Sequence, residues 1–260
     1  MRFSNLVLAL STLALASSCN ILPSARVTPR IGTLELDGDI SAGTPGLSAT
    51  ADMEDLGFID DGNVFSPRVD LAWGPVDLIA SGFNAKYEGD GTADVALTIG
   101  GDTISIGEAV HSELDLSMVT LLAVWDFVPT DVVDFGLGLG AQVIDFDTSI
   151  TSLGMVPVTI ETAESAPFPV LAARGAFQLF DLEISAVASG VSLDISGVDA
   201  TFVDLDIMAS YTFEEFLGFY GALVAGYRQI DMDVEYSDSG SDVALDFSLS
   251  GPYFGLTLGL

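Results

Sequence analysis

Several segments of this chain alternate apolar and polar residues with a period of two. In residues 203–213 the odd positions carry the apolar side chains, namely Val203, Leu205, Ile207, Ala209, Tyr211 and Phe213. The same pattern recurs in residues 134–143, 182–189 and 252–260. Successive side chains of a β-strand point to opposite faces, so this period predicts strands with one apolar face and one polar face. Helical periodicity is nearly absent, and residues 53–58 and 214–217 are the only short helical candidates. The chain is predicted to be all-β.

The composition excludes several classes of protein. The 260 residues include 38 Asp plus Glu but only 7 Lys plus Arg, which gives a formal net charge of −31 at pH 7. So few basic side chains exclude nucleic acid as a partner. One Cys and one His exclude an internal disulfide and the usual zinc cage, and we predict no metal site and no cofactor. Acidic chains are often disordered, but a hydrophobic content of 49% favours a folded chain.

The amino terminus has the features of an export signal. Arg2 precedes an apolar run at residues 6–16, which is too short to cross a membrane as a helix. Small residues and then Cys19 follow, an arrangement that resembles a bacterial lipobox, in which the Cys is acylated. We therefore predict a signal peptide of the lipoprotein type at residues 1–18 and lipidation of Cys19. The alternative is ordinary cleavage after Ala16, which leaves Cys19 free.

The alternating segments amount to about ten strands. They lie at roughly residues 29–41, 64–73, 76–87, 113–127, 132–146, 168–180, 181–193, 200–213, 219–235 and 243–260. Ionic residues in mid-strand, aromatic residues near strand ends and short turns alternating with longer acidic segments favour apolar faces that contact lipid. We predict a single antiparallel up-and-down transmembrane β-barrel at residues 29–260, after a periplasmic tether at residues 19–28. An even strand count predicts that both termini are periplasmic.

The leader, the alternation and the final segment, Gly251-Pro-Tyr-Phe-Gly-Leu-Thr-Leu-Gly-Leu260, resemble small outer-membrane β-barrel proteins of Gram-negative bacteria. Residues 226–235 (GYRQIDMDVE), 55–58 (DLGF) and 67–70 (PRVD) also resemble a largely uncharacterised group of these barrels. The resemblance implies a location in the outer membrane, with membrane lipid and the barrel-assembly machinery as partners. Such barrels usually end in Phe or Trp, whereas this chain ends in Leu260.

Arginines in mid-strand are the most informative polar residues. Arg68, Arg174 and Arg228 lie on the predicted luminal face of three strands that are far apart in sequence. Because an isolated buried charge is costly, we expect them to pair with carboxylates in a luminal ion-pair network. The predicted acidic members are Asp70, Glu113, Asp115, Glu183, Asp204 and Asp206. The network either plugs the barrel or forms a constriction that selects small solutes, since a barrel of this size has little room for a wide pore.

Candidate catalytic residues are few. His111, Ser112 and Glu113 include the residue types of a serine hydrolase triad, which some membrane-barrel lipid deacylases use. Adjacent residues of a strand point to opposite faces, so His111 and Ser112 do not readily share a hydrogen bond. A family of ten-stranded outer-membrane proteases uses Asp pairs and an Asp–His pair, a pattern that this chain does not match. We predict no catalytic residue and no enzyme.

Acidic residues also cluster in predicted loops, where hard divalent cations would find carboxylate ligands. The first cluster comprises Asp52, Glu54, Asp55, Asp60 and Asp61, and the second comprises Asp231, Asp233, Glu235, Asp238 and Asp242. Residues 52–57 lack the EF-hand pattern, and either solvated surface charge or weak calcium or magnesium binding explains both clusters.

The predicted function is that of a porin-like outer-membrane barrel with a narrow, charge-lined lumen, in a structural role or binding a small solute. One alternative is a membrane-embedded hydrolase acting on lipid or peptide. Another is a soluble secreted β-barrel that binds an apolar ligand.

Overall fold

The computed structural model describes most of the chain after the leader. The described residues are 24–44, 47–58, 62–94, 96–99, 102–128, 130, 132–154, 159–195, 198–216, 218–238 and 241–260. Cys19 and the predicted signal peptide lie outside these ranges. No helix in the described ranges is long and apolar enough to cross a membrane.

The described residues form β-strands and no helix. The strands are β1 (Ser24–Thr28), β2 (Arg30–Thr44), β3 (Leu47–Asp52), β4 (Gly62–Phe65), β5 (Arg68–Trp73), β6 (Val76–Thr92), β7 (Leu97–Ile99), β8 (Asp102–Ile104), β9 (Ala109–Asp126), β10 (Val133–Ser152), β11 (Thr159–Leu179), β12 (Leu182–Ile195), β13 (Val198–Phe216), β14 (Phe219–Asp238) and β15 (Ser241–Gly259).

The strands close into a ten-stranded antiparallel barrel in which each barrel strand pairs with its neighbours along the chain. β1 and β2 are two parts of the first barrel strand, separated at Pro29, and β4 and β5 are two parts of the second. β6 and β9 to β15 are the other eight, whereas β3 adds a hairpin to β2. The barrel closes where β15 pairs with the first barrel strand, with Leu258 opposite Val27 and Phe254 opposite Ile31. The predicted all-β, up-and-down barrel is confirmed.

The two ends of the barrel differ in what they carry. Ser24 and Leu260 lie at one end, which we call the terminal end, together with the turns at residues 74–75 and 180–181. The opposite end, which we call the distal end, carries residues 53–58 and the β7–β8 hairpin. Residues 24–28, predicted as part of the tether, form β1, so the barrel begins before residue 29.

At the distal end the strands continue beyond their predicted limits. β10 reaches residue 152 and β11 begins at residue 159, whereas the alternation predicted limits at 146 and 168. The outward positions of β10 change there from apolar residues to Asp145 and Asp147, while backbone pairing with β11 continues. The hydrophobic alternation therefore marks only the part of each strand that has an apolar outer face.

The apolar faces of the barrel strands point outward. Leu171 and Phe254 are 73% and 68% exposed, whereas Arg174 and Asp206 are only 5% and 7% exposed. Exposed aromatic residues lie near the terminal end of the apolar band, namely Trp73, Trp125, Phe127, Phe180, Phe213 and Phe219. An outward apolar band, an aromatic girdle and charged side chains enclosed inside are features of a transmembrane barrel.

The interior of the distal half is a packed apolar core. The luminal row of β9 runs through it toward the terminal end, with the apolar residues Val110, Leu114, Leu116, Met118, Leu122 and Val124 and the buried polar residues Ser112 and Thr120. The glycines of β10 face this row, and a Cβ atom on Gly138 would lie 2.7 Å from the Cα atom of Val124. The two strands therefore approach more closely than a side chain at this position would allow.

A segment after β3 fills the distal lumen, and we call residues 53–58 the plug. Its side chains Met53, Leu56 and Phe58 are buried in the apolar core. The Ser112 hydroxyl donates a hydrogen bond of 2.6 Å to the carbonyl of Leu56, which fixes the plug to β9. Gly57 has a φ of 93°, and a Cβ atom there would lie 2.8 Å from the backbone of Gly89, so this turn requires glycine.

Candidate functional site

Asp206 is a buried carboxylate that forms ion pairs with arginines from two other barrel strands. Its Oδ2 atom lies 2.6 Å from Arg30 Nη1 and 3.6 Å from Arg68 Nη1. The Tyr253 hydroxyl donates a hydrogen bond to its Oδ1 atom, and the Tyr253 ring centroid lies 4.6 Å from the Arg30 guanidinium carbon. Arg30 also donates to the Ser66 carbonyl at 2.8 Å and to the Ser66 hydroxyl at 2.9 Å. Every nitrogen of this guanidinium therefore has a hydrogen-bond partner.

Two further ion pairs lie in the same part of the lumen. Arg228 donates to both carboxylate oxygens of Asp204, at 3.0 and 2.8 Å, and its guanidinium carbon lies 5.2 Å from the Phe83 ring centroid. Arg68 donates to Asp70 at 2.7 Å. Two-point contacts between guanidinium and carboxylate groups are among the stronger ion pairs, and charges removed from water require such partners. We call this group the central layer: Arg30, Arg68, Asp70, Asp204, Asp206 and Arg228.

A cavity of about 190 Å³ lies between the central layer and the terminal end. Arg26 and Glu183 line it, and Arg26 Nη1 donates to the two Glu183 oxygens at 3.1 and 3.2 Å. Their side chains are 25% and 19% exposed, so water reaches this pair. Most other lining side chains are polar, including Thr28, Asp70, Gln178, Ser210, Thr212 and Tyr220.

Arg174 faces three carboxylates near the terminal end. Its Nη1 atom contacts Asp77, lies 3.1 Å from Asp134 Oδ2 and lies 3.8 Å from Asp126 Oδ1. The neighbouring strands β6, β9 and β10 carry the three carboxylates, and β11 carries the arginine. We call these four residues the Arg174 cluster. Among the described residues, the Oδ1 atoms of Asp126 and Asp134 are buried and have no hydrogen-bond partner.

The structure places seven of the predicted luminal charges inside the barrel and two outside it. Those inside, each with an ion-pair partner, are Arg68, Asp70, Arg174, Glu183, Asp204, Asp206 and Arg228. Glu113 and Asp115 are on the outward face of β9, and their assignment to the lumen is wrong. The luminal row of β9 is mostly apolar and contacts the plug at its distal end, whereas Glu113 and Asp115 lie in the alternate row on the outer face.

Five luminal charges were absent from the predicted network, namely Arg26, Arg30, Asp77, Asp126 and Asp134. The sequence contained a signal for Arg26 and Arg30. Together with Thr28 they occupy every second position across residue 29, where the first strand was predicted to begin. The sequence also contained a signal for Asp134. It lies two positions before Gly136 and therefore on the same face of the strand, which the alternation assigns to the lumen. Asp77 and Asp126 lie at strand ends, where the alternation is too short to assign a face.

The structure separates Ser112 from His111, two of the three residues that could form a serine hydrolase triad. Ser112 points into the lumen and donates its hydroxyl hydrogen to the plug, whereas His111 lies on the outer wall. His111 Nδ1 is 2.8 Å from Asp90 Oδ1, and its Nε2 atom is 3.7 Å from Glu113 Oε1. The hydrogen bond to Asp90, with a smaller contribution from Glu113, raises the pKa of His111. Nothing in this geometry lets His111 act as a base for Ser112.

The predicted acidic loop clusters are only partly described. Asp60 and Asp61 lie outside the described residues. Asp55 lies in the plug, and the neighbouring carboxylate of Asp94 raises the pKa of its carboxyl group. In the second cluster, Asp233 lies on the outer face of β14, directly opposite Asp246 of β15 in the strand register. Cation binding by these loops stays a prediction.

Comparisons with known proteins identify the fold. No protein-family model matches the chain, and no curated protein sequence matches it. The outer membrane protease OmpT from Escherichia coli matches its structure with a TM-score of 0.55 and 9% sequence identity, over 90% of this chain and 97% of that chain. This chain therefore has the fold of the outer-membrane β-barrels of Gram-negative bacteria. At this identity the likeness concerns the fold alone.

Two further structural matches are barrels of the same class. The translocator domain of the autotransporter NalP from Neisseria meningitidis has a TM-score of 0.43 and 13% identity, over 98% of this chain and 94% of that chain. The attachment invasion locus protein Ail of Yersinia pestis has a TM-score of 0.36 and 10% identity, over 90% of this chain and 99% of that chain.

Proposed function

We propose that this protein is an outer-membrane β-barrel that does not conduct solutes and that binds one small zwitterionic solute in the cavity at its terminal end. The filled lumen is the observation that carries the proposal. The central layer occupies the middle of the lumen, and the apolar core with the plug occupies the distal half. A polar cavity remains on the terminal side, and Arg26 and Glu183 line it.

The buried charges of the central layer support a closed lumen. Arg30, Arg68 and Arg228 are each almost fully buried and paired with carboxylates. A permeating ion would have to separate such pairs, and breaking a buried pair by loss of one partner costs about 3–5 kcal/mol. Among the described residues the core beyond them is lined mainly by apolar side chains, which do not replace the hydration shell of an ion.

The chemistry of the cavity favours a ligand that carries both charges. A guanidinium group such as that of Arg26 binds a carboxylate at two points, and the Glu183 carboxylate accepts hydrogen bonds from an ammonium group. A zwitterion would exchange the Arg26–Glu183 pair for two pairs of the same kind. The cavity of about 190 Å³ is equivalent to roughly six water molecules, which matches a small amino acid in size.

The same proposal covers location and the absence of catalysis. The apolar band contacts membrane lipid, the barrel-assembly machinery inserts the chain, and both termini are periplasmic, so the cavity faces the periplasm. Cys19, when acylated, tethers the segment before β1 to the membrane.

We propose that the protein is not an enzyme, because the His111 and Ser112 side chains point to opposite faces of β9. A soluble barrel is disfavoured, because Leu171 and Phe254 are exposed on the outer wall.

Channel recording tests the closed lumen. The full chain is reconstituted into planar lipid bilayers, and heat-modifiable migration on gels verifies that the barrel is folded. We expect no current steps above the lipid background. Regular conductance steps from folded protein would overturn the non-conducting role.

Calorimetric titration with glycine and L-serine as zwitterionic probes, and D-glucose as a neutral probe, tests the cavity. Ser210 lines the cavity, and Ser210→Phe fills it, whereas Ala209→Phe places the same ring on the outer wall. We expect a zwitterionic probe to bind to the wild type and to Ala209→Phe, and Ser210→Phe to lower that affinity at least tenfold. Absence of binding to the wild type, or unchanged binding to Ser210→Phe, rejects the solute site.

A further inference from the structure

We propose that the Arg174 cluster binds one divalent cation, with Ca²⁺ as the best fit, through the carboxylates of Asp77, Asp126 and Asp134. One oxygen from each carboxylate lies within 4.8 Å of the other two. Calcium binds oxygen at about 2.3–2.6 Å, so two of its ligands can lie up to about 5 Å apart. The three oxygens therefore lie close enough together to bind one Ca²⁺ ion beside the Arg174 guanidinium.

The charge balance of the lumen points to the same place. Elsewhere on the luminal faces of the described barrel strands the arginines and carboxylates are equal in number: Arg26, Arg30, Arg68 and Arg228 face Glu183, Asp70, Asp204 and Asp206. In the Arg174 cluster one guanidinium faces three carboxylates, which leaves two uncompensated negative charges. One divalent cation makes this cluster neutral.

Unpartnered oxygens in the cluster provide an independent observation. The Asp126 side chain is only 9% exposed, and its Oδ1 atom has no hydrogen-bond partner among the described residues. The buried Oδ1 atom of Asp134 also lacks one. A buried carboxylate oxygen without a donor is costly, and a cation supplies the missing interaction.

The surrounding backbone leaves space for these oxygens. Gly136 lies directly opposite Asp126 in the β9–β10 ladder. A Cβ atom on Gly136 would lie 2.8 Å from Asp126 Oδ1 and 2.5 Å from Val124 Cγ1. Glycine at position 136 therefore keeps the carboxylate in the cluster. The Asp134 side chain is 24% exposed, which lets water complete the six to eight oxygen ligands that Ca²⁺ takes.

The experiment uses the full chain folded in detergent, stripped with a chelator and titrated with CaCl₂ by calorimetry and by thermal melting. The matched variants are Asp126→Asn/Asp134→Asn in the cluster and Asp145→Asn/Asp147→Asn on the outer face of the same strand, β10. We expect the wild type and the outer-face variant to bind one Ca²⁺ with a Kd at or below about 10⁻³ M and to melt at a higher temperature with Ca²⁺. The cluster variant should lose at least tenfold in affinity and lose the Ca²⁺-dependent rise in melting temperature.

A second variant keeps the test decisive if the double substitution impairs folding. Gly136→Ala retains all three carboxylates but displaces Asp126, and it should weaken Ca²⁺ binding several-fold. Two results overturn the proposal. One is a wild type whose melting temperature responds to pH but not to Ca²⁺, which indicates a proton shared by Asp126 and Asp134. The other is equal Ca²⁺ binding by the wild type and the cluster variant, which indicates that the outer acidic residues bind the ion.

Discussion

Arg30 and Asp206 are 176 residues apart in the sequence, yet their side chains lie 2.6 Å apart in the middle of the lumen. The pair joins the first barrel strand to β13 across the interior. The other four arginines among the described residues, Arg26, Arg68, Arg174 and Arg228, also have luminal carboxylate partners. A chain with so few basic side chains thus places its described arginines where they neutralise buried acids.

Removal of Arg30 should destabilise the barrel strongly. Arg30→Ala leaves Asp206 with Arg68 and Tyr253 as partners, but it removes the shortest ion pair of the central layer. We expect a loss of about 3 kcal/mol in the free energy of unfolding, the low end of the range for breaking a buried pair. Reversible urea unfolding in lipid vesicles measures this loss.

Lys86→Ala is the control for Arg30→Ala. Lys86 lies on the outer wall, 3.8 Å from Glu88, and both side chains are half exposed. Loss of this pair should cost less than about 1 kcal/mol. Equal effects of the two substitutions would mean that the central layer does not stabilise the fold.

A side chain at position 138 should disturb the contact between β9 and β10. The Cβ atom of Gly138→Ala would lie 2.7 Å from the Val124 Cα atom, so the strands must separate, at a cost of about 1–3 kcal/mol. Gly175→Ala is the matched control, because no atom lies within 4 Å of a Cβ atom there. Urea unfolding should show a loss for Gly138→Ala alone, and a neutral Gly138→Ala would contradict the close approach.

His111 should titrate above the ordinary value of 6.5. The hydrogen bond to Asp90 raises its pKa, and His111 lies on the outer wall beyond the apolar band, where Glu113 is also close. A raised folded pKa means that the interaction stabilises the fold below pH 6.5 and loses this effect as the pH rises through the folded pKa. His111 is the only histidine in the chain, so its imidazole NMR signal is unambiguous. Asp90→Asn should lower the pKa, and an unchanged titration would show that the pair does not form in solution.

A shorter side chain at position 56 of the plug should create a cavity in the distal core. Leu56 is fully buried there, and Leu56→Ala should cost about 2–5 kcal/mol in the free energy of unfolding. Ile106→Ala, at a position that is 67% exposed before β9, should change it little. If urea unfolding shows equal midpoints for both variants, the plug does not pack inside the barrel.

The alternation was sufficient to predict the strands and, in most of them, the luminal face. It failed on β9, where residues 118–125 (MVTLLAVW) are apolar on both faces. The polar residues Glu113 and Asp115 were therefore assigned to the lumen, although the apolar residues of the alternate row pack against the plug there. A period of two identifies the two faces of a strand but does not say which face is inside.

The partners of each luminal charge could not be predicted, because they depend on strand register and on the tilt of the barrel. Arg174 binds Asp77 of β6 across two intervening strands, and no local spacing encodes that contact. The plug is a similar case. Its residues 53–58 read as a loop or a short helix, and only the closed barrel shows that the segment turns inward.

The central claim is that the apolar faces contact lipid while the arginines and carboxylates face one another inside. Spin labels attached to single cysteines in a Cys19→Ser background, in protein reconstituted into lipid bilayers, test it most directly. At the outward positions of Leu171→Cys and Leu223→Cys, collisions with oxygen should be frequent and collisions with a water-soluble nickel complex rare. At the luminal position of Ser210→Cys, oxygen collisions should be rare. High nickel and low oxygen accessibility at positions 171 and 223 would contradict the membrane-spanning arrangement.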